Sequence, residues 1–399
     1  MLKFGILNLM GYNPQKFMMH VICKMIYVLG LGDCWYEKTQ RNWYHKKLDL
    51  IRIIIVNVYM VAVLVDQYFA FYRTDLTVKE RNDLVQMVVG LTTVYAKFIV
   101  FMFQKHRIEA FLRKLLETSS IETDIASVRK AFIFVGFLAI LIYGTIGTAT
   151  IDGIRAYITD GVPIRTAVTY YPNPTHSGIF INILRFFIEC HWWCLGILTI
   201  NVDSLSYCSL IFLEYKFKSL QDYFKSIAVN ISGNNENKTQ QELNEEMKTR
   251  FLLGIRLHEN AMWCTTNIQS ALGNIYSMQV LQSSIILINC LIKLVTVEGD
   301  MTFLLANMSC LMTMVFMIGS YMISGGNITW EAGELSAAIY ECGWELTTGN
   351  YNRELRTLAV VTIQRSQVPV HMTAFGVIIL SYSNFVTVEI VNIIYILIH

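Results

Sequence analysis

Long apolar runs separated by short polar ones recur along the whole chain. Seven of them, Ile53–Phe71, Leu84–Phe103, Ala131–Ile151, Gly178–Ile200, Tyr276–Val297, Met301–Ile323 and Met372–Ile398, reach the roughly 20 residues that a helix needs to cross a hydrocarbon core. The pattern predicts seven membrane helices. The longest connection contains a polar tract, Asn230–Lys248, nearly free of large apolar residues. On either side of it, Val202–Ile227 and Met247–Asn274 keep the three- and four-residue apolar spacing of a helix. The fourth and fifth helices are therefore expected to run on beyond the membrane as a helical hairpin. Phe17–Leu31 is amphipathic, which suits a segment lying on the membrane surface or one packed on the bundle.

Composition agrees with the pattern. Hydrophobic residues make up 54% of the chain and charged ones 16%, against about 25% charged in soluble domains. Orientation follows from the basic residues, which are retained on the cytoplasmic side near helix ends. Twenty-four of the 32 Lys and Arg residues fall in the N-terminal arm and the second, fourth and sixth connections, and five in the first and third. This predicts a cytoplasmic N-terminus and an extracellular C-terminus, the reverse of a G-protein-coupled receptor. Met1–Met25 has no continuous apolar core of a cleavable leader, so the first membrane helix is expected to direct insertion. The last apolar run ends at His399, so signalling is expected to pass through the membrane segments or the short elements between them. Nine cysteines fit neither a disulfide framework nor a zinc spacing and read as packing thiols.

Ionisable residues within membrane stretches mark functional candidates. Asp66, Lys97, Asp203 and Lys293 fall near stretch ends, where a cap or the interface can satisfy them. Arg185 and Glu189 are four apart, the spacing of an intrahelical ion pair. His191 reads as a packing histidine. Along the last stretch Ser381, Asn384, Val388, Asn392 and Tyr395 recur at helical steps, with Glu389 beside them. Such a stripe suits a water-filled lumen and equally an interhelical contact. Metalloprotease, phosphate-loop and nucleophile-elbow motifs are missing, so an enzyme is not expected, and neither is a cofactor. Internal repeats of the transporter kind are also missing.

The order Leu335-Ser336, Tyr340, Trp344, Arg353, Gln364-Arg365-x-Gln367-x-Pro369, Thr373-Ala374, Ser381, Phe385 and Tyr395 resembles the C-terminal signature of the insect odorant receptors. Tyr171-Pro172 ahead of the fourth stretch and Asp203-x-Leu205 at its inner end are similar to the family as well. One departure is Ile394-Tyr395-Ile396, where many relatives carry Tyr-Ser. The fourth connection is shorter than that of the family's obligate co-receptor, so the chain resembles a ligand-tuning subunit.

The resemblance implies an all-α fold of seven transmembrane helices with a cytoplasmic helical anchor. It also implies an odorant-gated, non-selective cation channel in the plasma membrane of olfactory sensory neurons, with this chain joined to the co-receptor in a heterotetramer. No nucleic-acid partner is expected. A metabotropic receptor and a small-solute transporter are the alternatives, distinguished by whether ligand evokes current without nucleotides. By the resemblance, residues 1–52 are an N-terminal arm, 53–213 helices one to four, 214–268 a cytoplasmic connection, 269–327 helices five and six, 328–370 the anchor and 371–399 the pore-lining helix. Ser381, Asn384, Val388, Glu389, Asn392 and Tyr395 would face the conduit, with Ile394 and Ile398 as a gate that closes by dewetting. Tyr340, Trp344, Gln367 and Pro369 would pack the anchor. The ligand site, placed by depth, would draw on Met87, Val88, Leu91 and Thr92; Tyr143, Ile146, Gly147 and Thr150; Ile183, Phe186, Phe187 and Cys190; and Asn307 with Met308. The set is mainly apolar with a few hydroxyls and carries no charge, so small neutral volatile ligands are expected there.

Overall fold

The computed structural model describes residues 13–37, 43–117, 121–161, 163, 167–233, 239–297 and 301–387. In chain order the elements are α1 (Pro14–Val28), α2 (Trp43–Ala70), α3 (Val78–Leu115), α4 (Ile121–Asp160), α5 (Ile179–Gly233), α6 (Gln240–Thr296), α7 (Met301–Tyr340), a 3-10 turn (Trp344–Leu346), α8 (Gly349–Ser366) and two short strands, β1 (Thr373–Ala374) and β2 (Ile378–Ile379). Among the described residues six helices, α2 to α7, are long and apolar enough to cross a membrane.

Local chemistry sets the helix ends. Thr77 and Thr239 each begin a capping box, with Glu80 and Glu242 reaching back to the cap residue's amide. Gly161, at φ +66°, follows the end of α4 in the left-handed conformation that glycine tolerates. α5 and α6 run for 55 and 57 residues, so each continues well past the span of a bilayer, as the apolar spacing predicts. The arm helix α1 packs on α4 and α5 through Met19, Ile22, Cys23 and Ile26, and Gln15 Nε2 donates to Ser127 Oγ at 2.7 Å. Its other face exposes Phe17, Val21 and Met25, so the helix both packs on the bundle and presents apolar surface.

α5 is the axis of the bundle, packed by α4, α6 and α7, while α3 lies along α6 and α2 leans on α3 at the edge. Every residue from Val202 to Leu213 is buried. Ser204, Ser206 and Ser209 in that run are small enough to let neighbouring helices close in. The hydroxyls of Ser206 and Ser209 donate to carbonyls four residues back, so two of the three add no polar demand of their own. α2, by contrast, exposes Ile54, Ile55, Val58 and Val65, side chains suited to lipid.

At the end of the bundle carrying residues 71–77 and 167–178, Arg73 ties the two segments together. It donates to Thr169 O at 2.8 Å and Asn173 Oδ1 at 3.2 Å, and grips Asp75 with two bonds at 3.0 and 2.7 Å. The hydrogen bond from Arg73 holds the Asp75 carboxyl down to about 2. A depressed carboxylate pKa supports the clamp above the ordinary carboxylate range and withdraws that support as pH falls toward 2. Asp66 accepts from the amides of Tyr170 and Tyr171 in the second segment, which satisfies its carboxylate.

At the opposite end the structure departs from the sequence reading. A membrane helix was expected from Met372, but residues 372–380 form a tight hairpin with Thr373 opposite Ile379, and the helix opens only at residue 382. Phe375 and Gly376, at φ 55° and 70°, turn the chain, and β-branched Val377, Ile378 and Ile379 suit the extended return. Gln269 fixes the hairpin by donating to Thr373 O at 2.6 Å and accepting from Thr373 N at 3.1 Å.

Candidate functional site

α3, α4, α5, α6 and α7 line a cavity of about 200 Å³ in the half of the bundle nearest residues 71–77. Helical spacing brings its lining together: Gln86, Met87, Gly90 and Val94 from α3, Ile142, Thr145, Ile146 and Ala149 from α4, Trp192, Leu195, Gly196 and Thr199 from α5, Gln282 and Ile286 from α6, and Cys310, Thr313, Met314 and Met317 from α7. The wall carries no charged side chain. A second chamber of about 380 Å³ lies above it and shares Gln86, Met87, Thr145, Ala149 and Cys310, which form the neck between them. That outer chamber holds the charges, with Lys79 paired to Asp152 at 2.8 Å and Lys293 paired to Asp83.

Most polar groups of the inner wall are already engaged. Thr145, Thr199 and Thr313 donate to carbonyls of their own helices, and the Thr145 and Thr313 hydroxyls meet at 2.8 Å. Gln86 donates to Cys310 Sγ at 2.8 Å and accepts from Lys293 at 2.6 Å. The buried Gln282 Oε1 and Trp192 Nε1 have no partner.

Directly beneath lies a buried ionic cluster. Lys97 Nζ reaches Asp203 Oδ1 at 3.0 Å and Oδ2 at 3.2 Å and donates to Gln279 Oε1, while Tyr321 donates to Asp203 Oδ1 at 3.0 Å. The Lys97 and Asp203 side chains are 1% and 0% exposed, so each charge depends on the other. Tyr207 stacks on Tyr321 at 4.2 Å, and Tyr276 adjoins it at 5.3 Å. Met317 joins the two levels. It lines the cavity, its carbonyl accepts from Tyr207 at 2.9 Å, and its sulfur lies 3.6 Å from Gln279 Nε2. Lys97 and Asp203, read separately from sequence as groups near helix ends, are in fact one pair.

Of the residues placed by depth, Met87 and Ile146 line the cavity, and Asn307 joins Met87 in the outer chamber. Val88 packs with Ala70, Leu84 and Val168, and Leu91 belongs to the main core. The Thr92 hydroxyl meets that of Tyr68, Tyr143 stacks on Trp193, Gly147 adjoins open space, and Thr150 donates to Ile146 O. Ile183, Phe186, Phe187 and Met308 are exposed, and Cys190 is half-buried. On α5 the stripe 183, 186, 187, 190 is turned away from the cavity, and the stripe 192, 195, 196, 199 faces it. Two residues of offset rotate a helix face by roughly 200°. The sequence signals that single out the inner stripe are the small Gly90 and Gly196 and the carboxamides Gln86 and Gln282 within apolar runs. Filling the space should be selective. Gly90→Leu, whose first added carbon would have Ile286 Cδ1 nearest at 3.9 Å, is expected to weaken binding of a molecule held in this cavity about tenfold or more at normal surface density, read by dose–response and surface labelling.

At the other end, Trp344 Nε1 donates to Tyr340 O at 3.2 Å, with Trp344 half-buried and Tyr340, Gln367 and Pro369 exposed. Ser381 Oγ accepts from Asn384 N at 3.3 Å, and Asn384 Nδ2 donates to Ile379 O at 2.8 Å, so both residues serve the start of the last helix. Val388, Glu389, Asn392, Ile394, Tyr395 and Ile398 lie outside the described residues.

A family model described as 7tm Odorant receptor matches residues 77–394. The fold is similar to that of the insect olfactory receptor OR5 from Machilis hrabei in complex with eugenol, with a TM-score of 0.77 at 13% identity over 96% of this chain and 97% of that one. A further structure of OR5 from the same species gives 0.75 at 12% identity over the same shares. No curated protein matches.

Proposed function

This chain belongs to the insect odorant receptor family, a family of multi-pass membrane receptors and channels, and on that premise we propose that it is the odorant-binding subunit of a ligand-gated, non-selective cation channel. It works in a heterotetramer with the co-receptor in the plasma membrane of olfactory sensory neurons, with its N-terminus inside and its C-terminus outside. The observation that carries this reading is the charge-free cavity walled by five helices, one of which, α7, also seats the start of the last helix.

The outer chamber admits the ligand, and the neck at Gln86, Met87 and Cys310 leads it inward. A neutral volatile gains from burying its apolar surface there, whereas an ionised one loses its hydration without a countercharge. α7 contributes Cys310, Thr313, Met314 and Met317 to the wall and then, further along, Gly319 and Gly325, on which Phe385 and Leu380 rest. A ligand that fits one placement of α7 better than another shifts the last helix by that difference in affinity and by nothing else. Trp330, Tyr340, Leu346, Val360 and Val361 are exposed at the anchor end and form the apolar surface offered to neighbouring subunits.

The test is patch recording from cells expressing this chain, the co-receptor or both. Fast cation currents from the pair during a panel of neutral volatiles, persisting in excised patches without nucleotides, are expected. Silence of the pair at confirmed surface density, or a response that requires nucleotides, overturns the reading.

A further inference from the structure

We infer that the cavity selects ligands bearing a hydroxyl group, alcohols or phenols, through the carboxamide of Gln282 with the indole N–H of Trp192; this rests on the cavity's being the ligand site.

Three other polar side chains of α6 in this half of the bundle are engaged. Gln279 accepts from Lys97 and donates to Ser283 Oγ at 2.8 Å, Asn289 donates to Asn82 O at 3.1 Å, and Lys293 is held by Gln86 and Asp83. Gln282 is 5% exposed and lines the cavity, yet its Oε1 bonds to nothing. Across the same cavity Trp192 Nε1 is also unpartnered. A buried carboxamide oxygen without a donor is a costly group to hold in an apolar wall, and the space it borders is the place a donor can come from. The threonine hydroxyls of the wall do not supply one, because their protons are engaged by main-chain carbonyls or, between Thr145 and Thr313, by each other.

The chemistry then discriminates among neutral ligands. A hydroxyl both donates and accepts, so it satisfies Gln282 Oε1, and it can also take the Trp192 proton. An ether, ester or ketone only accepts and leaves Gln282 Oε1 unmet. A hydrocarbon leaves both groups unmet. In size, the cavity somewhat exceeds the roughly 150 Å³ of an apolar cavity that takes up benzene, which corresponds to one ring with a short substituent or a chain of similar volume.

The probes are a phenol with its methyl ether and an alkanol with its methyl ether, each beside a hydrocarbon of matched shape. Binding to the purified full chain in lipid discs is read as ligand-dependent thermal stabilisation, which does not depend on gating. The hydroxyl compounds are expected to bind about tenfold or more tightly than their ethers. Gln282→Leu, close in volume and apolar, should bring that ratio to near one. Trp192→Phe should weaken alcohol and ether by similar factors and leave the ratio standing. Equal binding of ether or hydrocarbon by the native chain overturns the inference without any variant, as does a ratio that survives Gln282→Leu or a panel that binds nowhere. Hydroxyl-selective binding without current from the pair would keep the inference and remove the channel reading. Current without hydroxyl preference would do the opposite.

Discussion

Lys97→Met, with Asp203 left in place, is expected to lose about 3–5 kcal/mol of stability and most of its surface density, because it strands a carboxylate that is 0% exposed in the centre of the bundle. Removing one partner of a buried pair is far worse than removing both. The double variant Lys97→Met with Asp203→Asn retains an acceptor for the Tyr321 hydroxyl, 3.0 Å away, and leaves no buried charge unpaired. Most of the loss should therefore be recovered. Thermal melts of the detergent-solubilised protein and surface labelling read both. A single variant that melts with the native chain would show that Asp203 is hydrated and that the cluster is not the closed network described. The position gives this a functional side, since Met317 bonds to Tyr207 of the cluster while lining the cavity. The double variant should thus fold and yet respond to ligand with altered sensitivity.

This pair also shows what could be read from the sequence and what could not. Membrane stretches were legible because a bilayer demands a minimum apolar length, and six of the seven appear as helices close to where the runs fall. The hairpin of α5 and α6 was legible because its apolar spacing continues on both sides of a polar tract. Lys97 and Asp203 stand 106 residues apart, and nothing local to either announces the other. Each alone resembled an ordinary helix-end charge. The lining of the cavity was hard to read for a related reason. Depth along a helix follows from counting, but the inward face of α5 follows from how α4, α6 and α7 surround it, so depth alone does not separate a stripe ending at Cys190 from one beginning two residues later. Residues 372–380 were apolar enough for a helix, and two consecutive left-handed residues, Phe375 and Gly376, overrode that pattern.

Gly325→Val is expected to disconnect ligand binding from current. The first carbon added at Gly325 would lie 2.5 Å from Leu380 Cβ and 2.9 Å from its carbonyl oxygen, and a main-chain oxygen cannot be cleared by a rotamer change. Leu380 is itself fixed. It is fully buried, and its amide donates to Met372 O at 2.8 Å, closing the hairpin that leads into the last helix. The hairpin must move or α7 must bend, at a cost of about 1–3 kcal/mol typical of overpacking. The loss is modest because the Lys97 cluster and the cavity wall are untouched, so the variant should reach the surface and still be stabilised by ligand. Current is expected to fall at least about tenfold, since the start of the last helix no longer sits where α7 holds it. The adjacent glycine is the control. At Gly326 an added carbon would be 3.6 Å from Tyr382 N and 3.7 Å from Ser381 Cα, ordinary contact, so Gly326→Ala should respond like the native chain. Native-sized currents from Gly325→Val, or an equal loss from Gly326→Ala, would show that the seat of the hairpin on α7 does not carry the signal to the last helix.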